Sequence, residues 1–414
     1  WDYRKMYDEM GKSIDAVLVA TADHTHAMIT ADAMTLGKHV YTQKPLTHSV
    51  YESRLLTNLA KKYDVATQMG NQGSSLAEGV DLICEWIWNG EIGEVTKVEC
   101  ATNRPIWPQG LNAPEKVDKI PSTLNWDLFT GLPIWMICPA KLRPFNKTYH
   151  PWNWRGWWDY GTGALGDMAC HILHPVFKGL NLGYPTRVQG SSTLLLQDCA
   201  PNAQHVKLVF PARDNMPKVA MPEVEVHWYD GGMMPDRPEG FPQGKELMGE
   251  GGGLCIFHGT KDTLICGCYG VNPWLLSGRK PNVPQTLRRV KDAMKGGHEQ
   301  DWIRACKESA GSRVQTKSNF LEAGPFNEMV VMGVLAVRLQ RLNKELLWDG
   351  PNMRFTNIDP NETIKIIKKD TFEVIDGDPK FKTEWTDPIN AQEFAAGLIK
   401  HNYREGWKLV DMPR

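Results

Sequence analysis

The chain has no excess of charge of either sign. Lys and Arg total 47 against 48 Asp and Glu over 414 residues, so it lacks the electrostatic footprint of a nucleic-acid binder or of a protein drawn to an anionic membrane. No apolar run approaches the roughly 20 residues of a membrane span; the longest, such as Met329–Val337, stop well short. A disulfide pattern is missing too. Nine cysteines, at 84, 100, 138, 170, 199, 255, 266, 268 and 306, are odd in number and scattered. Only Cys266 and Cys268 stand close, with nothing nearby to complete a zinc site, so free thiols in a reducing compartment are expected. No export signal is visible, yet the chain opens abruptly at Trp1, in what reads as the interior of an element. Localisation is therefore left open: cytoplasmic by default, periplasmic if a preceding segment carried a signal.

A hydrophobic content of 42% is ordinary for a globular protein, and the length suffices for two domains with a core each. The first hundred residues alternate strand and helix signals. Ile14–Thr21, broken only by Asp15, reads as a strand covered on both faces. A helix at Thr25–Leu36 stops at Gly37, a strand follows at His39–Thr42, and Val50–Tyr63 is a helix with Leu55, Leu56 and Leu59 on one side. Val65–Met69 is a further strand, and Leu76, Val80, Ile83, Cys84 and Ile87 mark a helix ending at Asn89-Gly90. Such alternation predicts βαβ units on a parallel sheet. From Val95 the signals change to longer strands at Val95–Thr102, Thr186–Leu195, His205–Pro211, Val224–Tyr229, Gly253–Gly259 and Thr263–Tyr269. These predict a large, mainly antiparallel sheet, with helices at His298–Glu308 and Asn327–Leu342. Long loops at 103–160 and 230–252 are of the kind that carries function. The run Gly249–Gly253 lacks the flanking strand and helix of a phosphate cradle.

Three patterns close successive parallel strands: Asp23-His24-Thr25-His26, Gln43-Lys44-Pro45 and Asn71-Gln72-Gly73. Ligands bind at the carboxyl ends of such strands, so all three converge on one rim. A lysine after a strand is usually a solvated charge; the adjacent Pro45 and the rim favour a role for Lys44. A fourth pattern runs from Gly161 to His174, a glycine-rich turn entering a helix with Asp167 and His171 four apart on one face. That spacing suits a carboxylate that orients a general base, or a structural acid–histidine pair. A metal held by Asp167, His171 and His174 is disfavoured, because three ligands on one helix coordinate poorly. Seven of the sixteen tryptophans lie between Trp107 and Trp158, as a carbohydrate site or as aromatic core.

With these motifs in order, the chain resembles the glucose–fructose oxidoreductase/inositol dehydrogenase/rhizopine catabolism (Gfo/Idh/MocA) family over nearly its whole length. The resemblance implies an α/β plus α+β architecture: a doubly wound Rossmann domain, here residues 1–90 and incomplete, then a substrate and oligomerisation domain, residues 91–414, with a large open sheet covered by helices on one face. It implies NAD or NADP as cofactor and a small carbohydrate as substrate, with no metal, nucleic acid or membrane partner, and a homo-oligomer formed through the open sheet face. By resemblance Lys44, Asp167 and His171 are catalytic. Thr21, Asp23, His24, His26, Gln43, Lys44 and Asn71 contact the cofactor, and Tyr149, Trp154, Arg155, Trp157, Tyr160 and His174 face the substrate.

Gln43 stands where the family has Glu, and His174 where relatives often carry Asp. The family's first strand, glycine loop and second strand do not precede Trp1, which reads as an N-terminal truncation that weakens cofactor binding and exposes an inner strand. The expected activity is hydride transfer between a nicotinamide and a sugar hydroxyl. Two alternatives are redox-neutral glycoside cleavage by oxidation, elimination and reduction, and a non-catalytic sugar-binding remnant. Tyr160-Gly-Thr-Gly replaces the Tyr-Pro-Thr-His of the N-acetylgalactosaminidase relatives.

Overall fold

The computed structural model describes residues 2–131, 133–134, 143–216 and 218–413; Trp135 and Cys138 lie outside them. Helices are α1 Tyr3–Met10, α2 Asp23–Thr35, α3 Val50–Tyr63, α4 Leu82–Trp88, α5 Trp126–Thr130, α6 Gly163–Ile172, α7 His174–Gly179, α8 Gly297–Cys306, α9 Phe320–Arg338 and α10 Ala391–Ile399. Strands β1 Ala16–Val19, β2 His39–Gln43 and β3 Thr67–Gly70 form a parallel sheet in that order. The register pairs Val17 with Val40 and Val40 with Thr67. Among the described residues β1 pairs on one side only, and Leu18 on it is 57% exposed. Helix α3 starts at a capping box in which Ser49 and Glu52 each satisfy the other's backbone N–H.

The remaining strands are β4 Val95–Thr102, β5 Pro133–Ile134, β6 Arg187–Ser192, β7 Gln204–Phe210, β8 Val224–Tyr229, β9 Gly253–Gly259, β10 Thr263–Gly267, β11 Trp274–Leu275, β12 Leu346–Asp349, β13 Arg354–Phe355, β14 Thr363–Ile364, β15 Ile367–Ile375, β16 Asp378–Trp385, β17 Ile389–Asn390 and β18 Asn402–Tyr403. Nine of them make one sheet, ordered β11-β10-β9-β4-β8-β7-β6-β12-β13. Every pair in it is antiparallel except β4 with β8. Helix α9 lies on this sheet, close enough that a Cβ on Gly190 of β6 would come 2.5 Å from the α9 backbone at Ala336 and Val337. The fold is therefore a Rossmann-type parallel sheet followed by an α/β unit with a large mixed sheet. One hydrophobic cluster runs through both, from Val19, Val40 and Leu55 to Val226, Phe257 and Phe326.

Several elements differ from the sequence reading. The helix expected from Leu76 to Asn89-Gly90 is split into a π turn at Ala77–Asp81 and α4, and a 3-10 turn at Gln72–Ser75 precedes it. The carbonyl of Tyr269 presses on Gly79 there, where a Cβ would approach it to 2.7 Å. Helix α9 begins seven residues earlier than expected, at the Asn319 cap, and carries Pro325 inside its first turns. Among the described residues it alone is long and apolar enough to cross a membrane, but 83% of its apolar window is buried in the fold. The β15–β16 hairpin and α10 add to the expected elements.

Candidate functional site

The exits of β1, β2 and β3 place Thr21, Lys44 and Asn71 on one rim, and α6 stands across from them. Lys44 Nζ lies 2.8 Å from Asp167 Oδ1 and 3.2 Å from the Asp167 carbonyl. Two of its three donors are thus spent and one is left. Arg155 Nε reaches the same carboxylate oxygen at 3.4 Å. Lys44 and Arg155 hold the Asp167 carboxyl below the usual range, against the opposing effect of burial.

Asp167 and His171 share a helical face, but no hydrogen bond joins them. The carboxylate turns to the two cations, and the imidazole finds another partner. Asn71 Nδ2 donates to the Cys170 carbonyl at 2.7 Å, which directs Asn71 Oδ1 at His171 Nδ1, 2.9 Å away. Nδ1 therefore carries the proton and Nε2 the lone pair. Nε2 has no partner among the described residues. Burial, then the Lys44 ammonium, push this imidazole down to about 3, with Asp167 opposing. Asn71 was expected at the cofactor; that it also sets the tautomer of the histidine is not readable from sequence.

The histidines of the first rim pattern are buried and tied to backbone. His24 reaches the Phe129 and Tyr160 carbonyls at 2.8 and 3.3 Å, and His26 joins the Thr21 and Pro45 carbonyls at 3.0 and 2.8 Å. His26 thereby links the exits of β1 and β2. Asp23, also buried, accepts from Thr162 Oγ1 at 2.9 Å; burial and the nearby Asp167 push its carboxyl up to about 7. Thr21 is exposed, and Gln43 packs against Gly70.

Tyr149, Trp157 and Tyr160 are almost wholly buried and pack on one another and on Trp126. Trp154 is mostly buried, and the Arg155 guanidinium lies over it at 4.4 Å and over the exposed Trp152 at 4.0 Å. Of the expected substrate contacts, Arg155 is the one beside Asp167. His174 is elsewhere: its Nε2 meets Glu322 on α9 at 2.9 Å, and its ring packs on Phe326. Sequence reasoning missed Tyr269, whose ring stands edge-on to His171 with centroids 4.6 Å apart. No spacing rule connects two residues so far apart in the chain.

Gly161, Gly163 and Gly166 reproduce the spacing of a dinucleotide fingerprint but do other work. A Cβ at Gly161 would meet the Arg155 backbone at 2.6 Å, one at Gly166 would meet Thr162 Oγ1 at 2.0 Å, and Gly163 has φ +67°. These glycines seat α6 against the loop that precedes it.

Residues 2–71 match the oxidoreductase family with an NAD-binding Rossmann fold, and residues 94–199 match the C-terminal alpha/beta domain of the same Gfo/Idh/MocA family. Both matches, in the N-terminal and in the following unit, are to models of the Gfo/Idh/MocA oxidoreductases. A levoglucosan dehydrogenase of Pseudarthrobacter phenanthrenivorans is 26% identical over 172 residues, covering 42% of this chain and 34% of that relative. The match thus spans about a third of the curated relative's length. Among solved structures, the WlbA dehydrogenase of Bordetella pertussis, in complex with NADH and UDP-GlcNAcA, is 15% identical, with 83% and 82% of the two chains covered and a TM-score of 0.49. UDP-N-acetylglucosamine 3-dehydrogenase from Acidithiobacillus ferrooxidans is 13% identical, with 80% and 82% covered and a TM-score of 0.46.

The family's cofactor is a nicotinamide dinucleotide. The donors on the rim, the exposed Thr21 hydroxyl and the remaining Lys44 N–H, fit the ribose hydroxyls of its nicotinamide half. No strand, glycine loop and helix in the order needed for the pyrophosphate occur among the described residues.

Proposed function

We propose that the protein oxidises a hydroxyl of a sugar or sugar derivative, with Lys44, Asp167 and His171 as its catalytic residues. The observation that carries this reading is a neutral imidazole whose Nε2 has no partner among the described residues, near enough to the Lys44 ammonium to be depressed by it. A substrate hydroxyl between Lys44 and His171 donates its proton to Nε2. The Lys44 ammonium stabilises the oxygen as it gains negative charge. Asp167 keeps Lys44 in place and offsets the positive charge of a protonated imidazole. Lys44, Thr21 and Asn71 are the residues that would hold the nicotinamide half, and the nicotinamide, when bound, supplies the hydride acceptor. Arg155, anchored between two indoles, faces the same carboxylate and is a substrate-binding residue. Residues 1–90 serve the cofactor and 91–414 the substrate.

The test is turnover of a panel of sugars with NAD or NADP, followed by absorbance of the reduced cofactor. His171→Ala lowers turnover by roughly 10²–10⁴-fold, the usual worth of general-base catalysis, and Lys44→Ala has a comparable effect. Activity that survives both substitutions ends this reading.

A further inference from the structure

Eight non-glycine residues have positive φ among the described residues, and six of them are Asn or Asp, the types that tolerate it. Tyr269 is the aromatic exception, at φ 62° and ψ 11°. A strained backbone of this kind persists where its surroundings impose it, and such residues gather at functional sites. Two contacts show what imposes it here. The Tyr269 ring fills the place of a side chain at Gly73, where a Cβ would lie 2.2 Å from Tyr269 Cδ1. On its other side it stands edge-on to His171, with an interplanar angle of 66°. Gly73 follows Asn71 by two residues, so the ring packs on His171 and on the turn that begins at its hydrogen-bond partner. The tyrosine hydroxyl has no partner among the described residues, which assigns the contact to the ring.

We propose that Tyr269 is a positioning residue, whose ring holds the His171 imidazole with Nδ1 on Asn71 and Nε2 toward the cleft. The inference rests on His171 being the base, but its physical content can be measured without turnover. Without the ring, the imidazole gains room to rotate about its side-chain torsions and water reaches it. The charged groups facing it are Lys44 from the exit of β2 and Asp167 from its own helix. Around Tyr269 lie Asp167, Cys268 and Arg104. Burial is the largest cause of the depressed imidazole, so admitting water moves it back toward its ordinary value of 6.5.

The test is nitrogen NMR of histidine-labelled full-length protein, titrated with pH, for Tyr269→Ala and Tyr269→Phe beside the parent. The expected result is that Tyr269→Ala raises the His171 pKa and mixes its tautomers, while Tyr269→Phe leaves both unchanged. In turnover, Tyr269→Ala lowers kcat by up to about 100-fold, as a misplaced catalytic group does, with KM little changed, and Phe restores it. If the Ala variant does not fold, Tyr269→Leu keeps volume against Gly73 without the ring edge and is read in the same way. An unaltered His171 titration in the ring-less variant overturns the proposal, as does a Phe variant as impaired as Ala. Survival of activity in His171→Ala, with the NMR result intact, would instead overturn the role of the base and leave the positioning standing.

Discussion

Asp23 is enclosed at the start of α2, with Thr162 as donor and Asp167 close by. Its folded pKa, near 7, lies above the unfolded value of 3.8. Between these values the folded protein holds a proton that the unfolded chain does not, so stability falls as pH rises from about 4 to 7. Asp23→Asn keeps an acceptor for Thr162 and removes the titration. Its gain in melting temperature should grow through that window and level off above it, as scanning calorimetry at several pH values would show. The rim patterns were legible because strand ends converge whatever the side chains do. The partner choices were not: spacing put Asp167 beside His171, whereas two cations claim the carboxylate and an amide from another element claims the ring. His174 followed the same helical face in sequence, but Glu322 draws it into the packing of α7 on α9.

Among the elements, the cleanly alternating strand Val224–Tyr229 and the continuously buried strand Gly253–Gly259 lie where the sequence pattern places them. The hairpin β15–β16 was hidden because one of its faces is charged, pairing Glu373 with Lys380 and Lys369 with Glu384, while Phe372 and Phe381 lie exposed on the other. Neither face looks like a core strand. Helix α9 crosses α3 at Gly324, where a Cβ would fall 1.8 Å from Thr57 Oγ1. Gly324→Ala therefore overpacks the crossing and should cost about 1–3 kcal/mol. Adding Thr57→Ala should recover part of that loss, and urea unfolding of the two single variants and the double variant measures the coupling.

For the whole molecule, acid stability depends on carboxylates enclosed with cations. Glu322 is held down to about 2 by Lys178 and His174, against burial, and Glu99 to about 2 by His258 and Lys97. Depressed folded values mean stability that is complete above the usual 4.5 and lost as pH falls toward 2. Glu322→Gln should lower the melting temperature at pH 7 and flatten its decline between pH 4.5 and 2. An equally steep decline in the variant would assign the acid loss to other groups.

The amide of Asn71 follows a strand of the small sheet, while the ring it aligns stands on a helix of the large one. If the two sheets moved apart by more than the slack of a hydrogen bond, the imidazole would be free to flip and its lone pair would lose direction. The direction of that lone pair is in this sense a joint property of the two sheets, set by a single hydrogen bond that spans them.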